Sequence, residues 1–265
     1  MLLSTLFGAA SKADAAMTEW ANNEGGRMRI VALPADDSGK IRAALQIEPA
    51  PGWITYWREP GDSGIPPQVA ITPGSNVALE RVDYPAPVSI DIGNVRDIGY
   101  DHPVALPLTL SVIDSTQPVE LKANAFIGLC KDICIPFQAS FHLRIEDTGQ
   151  SPAEEAVILS VATGALPQAP AEDFNVKAHV LSEDRKQLRL ELRLPEGAKG
   201  AEEVIVTGPP GYAFTAKGAA GARDGILTLD IPITRLPKNY DPKGKQWQLL
   251  VVAGGRAMET TLAFD

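Results

Sequence analysis

The 265-residue sequence predicts an all-β protein made of two β-sandwich domains joined by a short helix and linker. Its 22 prolines and 23 glycines recur at short intervals, which suits many brief strands closed by tight turns. Apolar and polar residues alternate at period two in segment after segment, while a helical pattern is confined to one place. The stretch Leu166 to Pro170 then divides the strand pattern into two series. An apolar content of 45% and a charged content of 22% are ordinary for a globular chain, and this length spans one or two domains.

Taken in order, residues 1–16 read as a signal peptide, truncated at its front. Met1 to Ala10 is a short apolar run and Ala13-Asp14-Ala15 has the A-x-A form of a cleavage site, but the basic leading region is missing. Export would deliver the protein to a compartment where disulfides persist. Residues 17–150 form the first sandwich. Arg27 to Leu33 and Ile41 to Glu48 are strands, and the second places Ile41, Ala43, Leu45 and Ile47 on one face. Trp53, Tyr56 and Trp57 mark an aromatic strand that runs into a Gly/Pro-rich loop ending at Pro66-Pro67. Gln68 to Ile71 and Ala78 to Asp83 are further strands. Residues 88–103 read as a polar, irregular loop, and a loop that long in a compact domain is usually functional. It carries Asp91, Asp97, Tyr100, Asp101 and His102.

Pro107 to Ile113, Val119 to Phe126 and Pro136 to Ile145 complete the first series. In the last, Phe137, Ala139, Phe141, Leu143 and Ile145 alternate with Gln138, Ser140, His142 and Arg144. Residues 151–170 are helix and linker. Ser151 is the N-cap, Pro152 takes the first helical position, and Gly164 stops the helix. Residues 171–265 form the second sandwich, with Leu188, Leu190, Leu192 and Leu194 on one face of its clearest strand. That half contains no cysteine and no recognisable constellation for chemistry.

A net charge of −9 argues against nucleic acid and against anionic membrane surfaces as partners. No run of 18 apolar residues is present, so no membrane span is expected. Motifs of serine hydrolases, zinc proteases, P-loops and dinucleotide sites are absent, and the three histidines lack metal-type spacing. The expectation is a protein without cofactor or metal, apart from whatever its cysteines do.

Those cysteines are Cys130 and Cys134, the only two in the chain. Their spacing suits an intramolecular disulfide with α-carbons ~5.5–6 Å apart. The strands on either side make them the flanks of a hairpin tip, with Lys131-Asp132-Ile133 as the turn, and such tips are exposed. Four readings stand: a redox pair, a structural bridge, two reduced buried thiols, or half a metal site. A bridge closing so short a loop contributes only about 2 kcal/mol, which a chain of this size does not need. Short accessible bridges are the labile ones. Lys131 favours a thiolate at Cys130 and Asp132 opposes it.

The residues Gly52-Trp53-x-x-Tyr56-Trp57-Arg58-x-Pro60-Gly61-Asp62-Ser63-Gly64-x-Pro66-Pro67, with Gly99-Tyr100, Leu106-Pro107-Leu108 and Cys130-Lys131-Asp132-x-Cys134-Ile135-Pro136, resemble a known family. They are similar to the N-terminal periplasmic domain of DsbD-type thiol:disulfide interchange proteins, and most of all to the longer-headed branch associated with suppression of copper sensitivity. The resemblance implies an immunoglobulin-like sandwich in the periplasm with protein-disulfide reductase activity. Cys130 and Cys134 would carry the chemistry. Beside the resemblance, Tyr56 and Trp57 of the aromatic segment and Asp91, Tyr100 and Asp101 of the 88–103 segment are the candidate neighbours that tune or shield them. The redox-active disulfide would be the sole cofactor. Electrons would come from a separate polytopic membrane thiol–disulfide conduit and pass to thioredoxin-fold periplasmic proteins, including disulfide isomerases and the reductants of cytochrome c maturation. The sequence departs from the best-studied members in its narrower cysteine spacing. Two other classes remain open from sequence: a non-catalytic interaction protein with a structural disulfide, and a periplasmic Cu(I)-handling protein using both thiolates.

Overall fold

The computed structural model describes residues 17–92, 95–146 and 153–264; the expected signal peptide and the Ser151-Pro152 helix start lie outside them. The first half runs β1 (Ala21–Asn23), β2 (Gly26–Ala32), β3 (Lys40–Pro49), β4 (Ile54–Gly61), β5 (Gln68–Ile71) and β6 (Val77–Val82). It continues with β7 (Val88–Ile92), β8 (Val95–Tyr100), β9 (Val104–Val112), β10 (Val119–Cys130) and β11 (Cys134–Ile145) before helix α1 (Ala153–Gly164). The second half comprises β12 (Asn175–Leu181), β13 (Gln187–Arg193), β14 (Gly200–Thr207), β15 (Ala213–Ala220), β16 (Ile226–Pro232), β17 (Lys245–Ala253) and β18 (Arg256–Phe264).

Two sheets make the first half, in the order β1-β2-β3-β9-β6 and β11-β10-β4-β8-β7, with β5 also on β10. Period-two alternation decides what lies between them. The β3 face predicted to be buried, Ile41, Ala43, Leu45 and Ile47, is buried, and it meets Leu121, Ala125, Ile127 and Leu129 of β10 in one core. The opposite face of β3 is covered as well. Helix α1 lays Leu159 on Leu33 and Ala44, which explains why β3 is apolar at a position that alternation alone would make polar. The second half pairs β12-β13-β16 with β15-β14-β17-β18 around Leu188, Leu190, Leu192, Val204, Val206, Trp247 and Leu249. The all-β, immunoglobulin-like reading therefore holds, with α1 as the one helix among the described residues.

The segment 88–103 is not the irregular loop expected from sequence. It is largely the β7–β8 hairpin, paired from Val88↔Gly99 to Ile92↔Val95. Its polar residues misled because two of them are buried: Ser89 is 1% and Asp97 0% exposed. Their partners, Glu203 and Ser63, are far away in sequence.

The two halves touch through packing and charge. Ile205 of β14 and Leu250 of β17 point into the first core while their neighbours Val204, Val206, Leu249 and Val251 fill the second. Arg58 pairs with Glu259, and Glu203 reaches Ser89. Residues 17–165 expressed alone are expected to fold cooperatively but to melt below the intact chain. Uncovering the sites of Ile205 and Leu250 forfeits about 1.5–3 kcal/mol per side chain. Thermal unfolding followed by circular dichroism checks this, and a molten fragment would show that the halves share one core.

Candidate functional site

The β10–β11 hairpin is a continuous antiparallel ladder from Val119↔Ile145 to Cys130↔Cys134. The cysteines are its last pair and are joined by a disulfide, with Lys131, Asp132 and Ile133 exposed beyond them. Their α-carbons are 4.0 Å apart, closer than the expected ~5.5–6 Å. Alternation turns Leu129 into the core and Cys130 onto the outer face of the sheet.

The two sulfur-bearing residues differ in access for a topological reason. Cys130 ends a central strand, flanked by β11 on one side and by Ile54 of β4 on the other, and is 5% exposed. Cys134 begins β11, the edge strand, and is exposed. Pro136 fits that edge, where a missing ladder donor is tolerated.

The outer face around Cys130 is apolar: Ile54, Tyr56 and Cys130 cluster, and Ile90 of β7 packs against them. Tyr56 lies across it, paired in register with Gly99. Glycine makes room for the ring on two further sides. A side chain at Gly64 would come within 2.3 Å of the Tyr56 ring, and one at Gly128 within 3.0 Å of it. Beneath the ring, Thr55 Oγ1 donates to Gly128 O at 3.0 Å, tying β4 to β10 beside the cysteine.

After Tyr56 the β4–β8 register shifts, and Gly61 turns the chain with φ +88° so that Asp62 and Ser63 swing over β8. Ser63 then donates its backbone N–H to Asp97 Oδ1 at 3.1 Å and its hydroxyl to the same carboxylate at 3.0 Å. The Tyr56 hydroxyl lies 3.4 Å from Asp97 Oδ2 and 3.4 Å from Cys134 Sγ. Burial, and then the charge and hydrogen bond of Asp97, push the Tyr56 pKa well above the ordinary phenol value. Tyr56 therefore keeps its proton and presents one O–H to two acceptors, a carboxylate and a sulfur.

Of the neighbours expected from sequence, the structure brings Tyr56 to the cysteines. Trp57 and Tyr100 point the other way, into the main core, where Arg58 stacks 4.0 Å from the Trp57 ring and Tyr100 donates its hydroxyl to Pro85 O at 2.9 Å. Alternation is the reason: Trp57 follows Tyr56 and Tyr100 follows Gly99 on their strands. Asp91 is exposed and bonded to Arg96, and Asp101 to His102; both line a cleft toward Glu202 and Lys217. Asp97, Ser63, Ile90 and Ile54 are the site residues that sequence reasoning missed. The Gly61-Asp62-Ser63-Gly64 turn was the available signal for Ser63. Among the described residues no group of three or more His, Cys, Asp or Glu is arranged to hold a metal ion.

The site is thus a disulfide at the tip of the β10–β11 hairpin of an immunoglobulin-like sandwich, with one cysteine buried and the other exposed. Residues 28–145 match the family described as thiol:disulfide interchange protein DsbD, N-terminal. Both segments that carried the resemblance in sequence, 52–67 and 130–136, lie inside that match, so the DsbD-type resemblance is shown for this half of the chain. The fold is similar to the crystal structure of the N-terminal periplasmic domain of ScsB from Proteus mirabilis, at TM-score 0.74 and 23% identity, over 95% of this chain and 100% of that one. A conserved domain protein from Bacillus anthracis aligns at TM-score 0.24 and 10% identity, over 88% of this chain and 76% of that one, too loosely to bear on the fold. No curated protein matches the sequence.

Tyr56→Phe is expected to fold and to lose about 1 kcal/mol, the worth of an ordinary hydrogen bond, since the bond to Asp97 is long at 3.4 Å. It should also change the alkaline limb of stability. In the wild type the unfolded chain releases the tyrosine proton near pH 10 while the folded one holds it, so Tyr56 costs no stability below that pH and destabilises the fold as pH rises above it. Denaturant titrations between pH 8 and 11 should show a shallower alkaline decline in Tyr56→Phe; superimposable declines would place the proton elsewhere.

Proposed function

We propose that the protein is a periplasmic thiol–disulfide interchange module whose Cys130/Cys134 pair relays reducing equivalents from a membrane electron conduit to oxidised thioredoxin-fold proteins, among them disulfide isomerases and the reductants of cytochrome c maturation. The observation that carries the reading is the asymmetry of the pair: Cys134 is exposed on an edge strand and Cys130, directly opposite it in the ladder, is buried. A structural staple has no use for an open sulfur. An exchange site needs one, because a thiolate must approach along the axis of the bond it breaks.

In the loading step a donor thiolate attacks Cys134 Sγ. A mixed disulfide forms, the Cys130–Cys134 bond breaks, and Cys130 leaves as a thiolate. The donor's second thiolate then attacks its own sulfur in the mixed disulfide and frees Cys134, so two electrons have entered the pair. Delivery is the reverse, with Cys134 attacking the acceptor's disulfide and Cys130 resolving the intermediate. The Tyr56 hydroxyl serves Asp97 while Cys134 is in the disulfide and is within reach of a Cys134 thiolate once it forms. Exposed Ile133, at 65%, gives a partner an apolar contact beside the reactive sulfur.

Cys130→Ser should leave a folded protein that traps a mixed disulfide with a thioredoxin-fold partner through Cys134. Cys134→Ser, whose remaining thiol is buried, should trap far less. Replacing both should abolish trapping at a cost of about 2 kcal/mol. Non-reducing electrophoresis after incubation with an oxidised thioredoxin-fold protein reads all three. Equilibration with glutathione should give a potential above about −300 mV, the range of structural bridges lying below it. A lower potential, with no trapping by either single variant and an unfolded double variant, would return the disulfide to a structural role.

A further inference from the structure

Ser89 is where the second half of the chain reaches the cysteine site. It lies on β7, the edge strand of its sheet, at 1% exposure. Its N–H donates to Glu203 Oε1 at 3.2 Å, its hydroxyl donates to Glu203 Oε2 at 2.7 Å, and its carbonyl accepts from Lys217 Nζ at 3.0 Å. Glu203 and Lys217 face each other across the β14–β15 ladder, with Nζ and Oε1 3.8 Å apart. An edge strand ordinarily offers its outward N–H and C=O to water or to another strand. Here both groups of one residue are held by an ion pair from the other half.

Glu203 is 4% exposed. A carboxylate so buried is costly unless it is paired and hydrogen-bonded, and Ser89 supplies two of its bonds. Adhesion between the halves alone would be served by any exposed contact. What sets this one apart is the next residue. Ile90 turns to the opposite face, packs on the cluster of Ile54, Tyr56 and Cys130, and stands across from Asp97 in the β7–β8 ladder. Fixing Ser89 therefore fixes how Ile90 packs on the cluster that contains Tyr56 and Cys130, and it braces the strand that carries Asp97 beneath the Tyr56 hydroxyl.

We infer that Glu203, with Lys217, is a positioning residue for the disulfide: the second half of the chain sets the reactivity of Cys130–Cys134 by holding β7 against it. The inference rests on the proposed exchange function, and its test is kept separate by using a small reductant instead of a protein partner.

The full chain is compared with Glu203→Gln, Ser89→Ala and, as a control on a different contact between the halves, Glu259→Gln, which breaks the pair with Arg58. The readouts are the rate at which dithiothreitol reduces the disulfide and the potential against glutathione. Losing a hydrogen bond to a charged group should speed reduction at least about fivefold in Glu203→Gln and Ser89→Ala, with a shifted potential, while Glu259→Gln keeps the wild-type rate. Wild-type rates in both β7 variants overturn the inference. An equal change in the Glu259 control also overturns it, since it reduces the clamp to general adhesion. Should Glu203→Gln fail to fold, the milder Ser89→Ala decides. Failure of the wild type to exchange with thioredoxin-fold proteins would sink the functional reading, and the dithiothreitol comparison would still judge this one.

Discussion

Everything at the candidate site depends on the register of the β10–β11 ladder. Side chains alternate strictly across a strand, so a slip of one residue would turn the cysteines into the core and Leu129 out to solvent. The register is held from the far end, where Leu121, Ala123, Ala125 and Ile127 meet Phe137, Phe141, Leu143 and Ile145 in the core. The chemistry thus sits at the end of a long ruler whose markings are apolar side chains. The same pleat sorts β4, sending Tyr56 to the sulfurs and Trp57 to the core, and β8, sending Asp97 outward and Ile98 inward.

On that scaffold the polar part of the site is assembled from three separate segments. Asp97 is fully buried, and a buried carboxylate must be satisfied or neutralised. The turn after Gly61 brings Ser63 to do most of this, and Tyr56 completes it. The phenol is held neutral by burial and by that carboxylate, which makes it a dependable donor beside Cys134 at physiological pH. The small residues Gly64, Gly99 and Gly128 are the steric counterpart, since a side chain at any of them would meet Tyr56 or its strand at under 3.1 Å.

Much of this was legible in the sequence. The all-β class, the hairpin flanked by Cys130 and Cys134 and the alternation of β11 follow from period-two patterns, and the aromatic segment with its unusual spacing of Trp, Tyr, Gly and Pro is where Tyr56 was singled out. Asp97 and Ser89 were not legible as buried residues. Each is polar, and the side chain that satisfies it lies 34 and 114 positions away. The hairpin they belong to was consequently read as loop. Trp57 was placed with the site as part of the aromatic segment, and Asp91, Tyr100 and Asp101 as part of the segment read as a loop; the pleat takes Trp57 and Tyr100 into the core, and Asp91 and Asp101 bond to Arg96 and His102 instead. Local patterns report which residues can be buried; they do not report which distant group will make burial of a polar residue tolerable.

The turn Lys131-Asp132-Ile133 has a thermodynamic meaning of its own. The disulfide encloses only these three residues, at the end of a ladder that is already paired. Breaking so small a ring changes the freedom of the unfolded chain by only about 2 kcal/mol. In a cycle linking folding to reduction, that ties the couple of the folded protein to that of its unfolded chain within roughly 40 mV. Folding and electron content are then nearly independent variables. Reduction then leaves the stability of the fold nearly where oxidation put it.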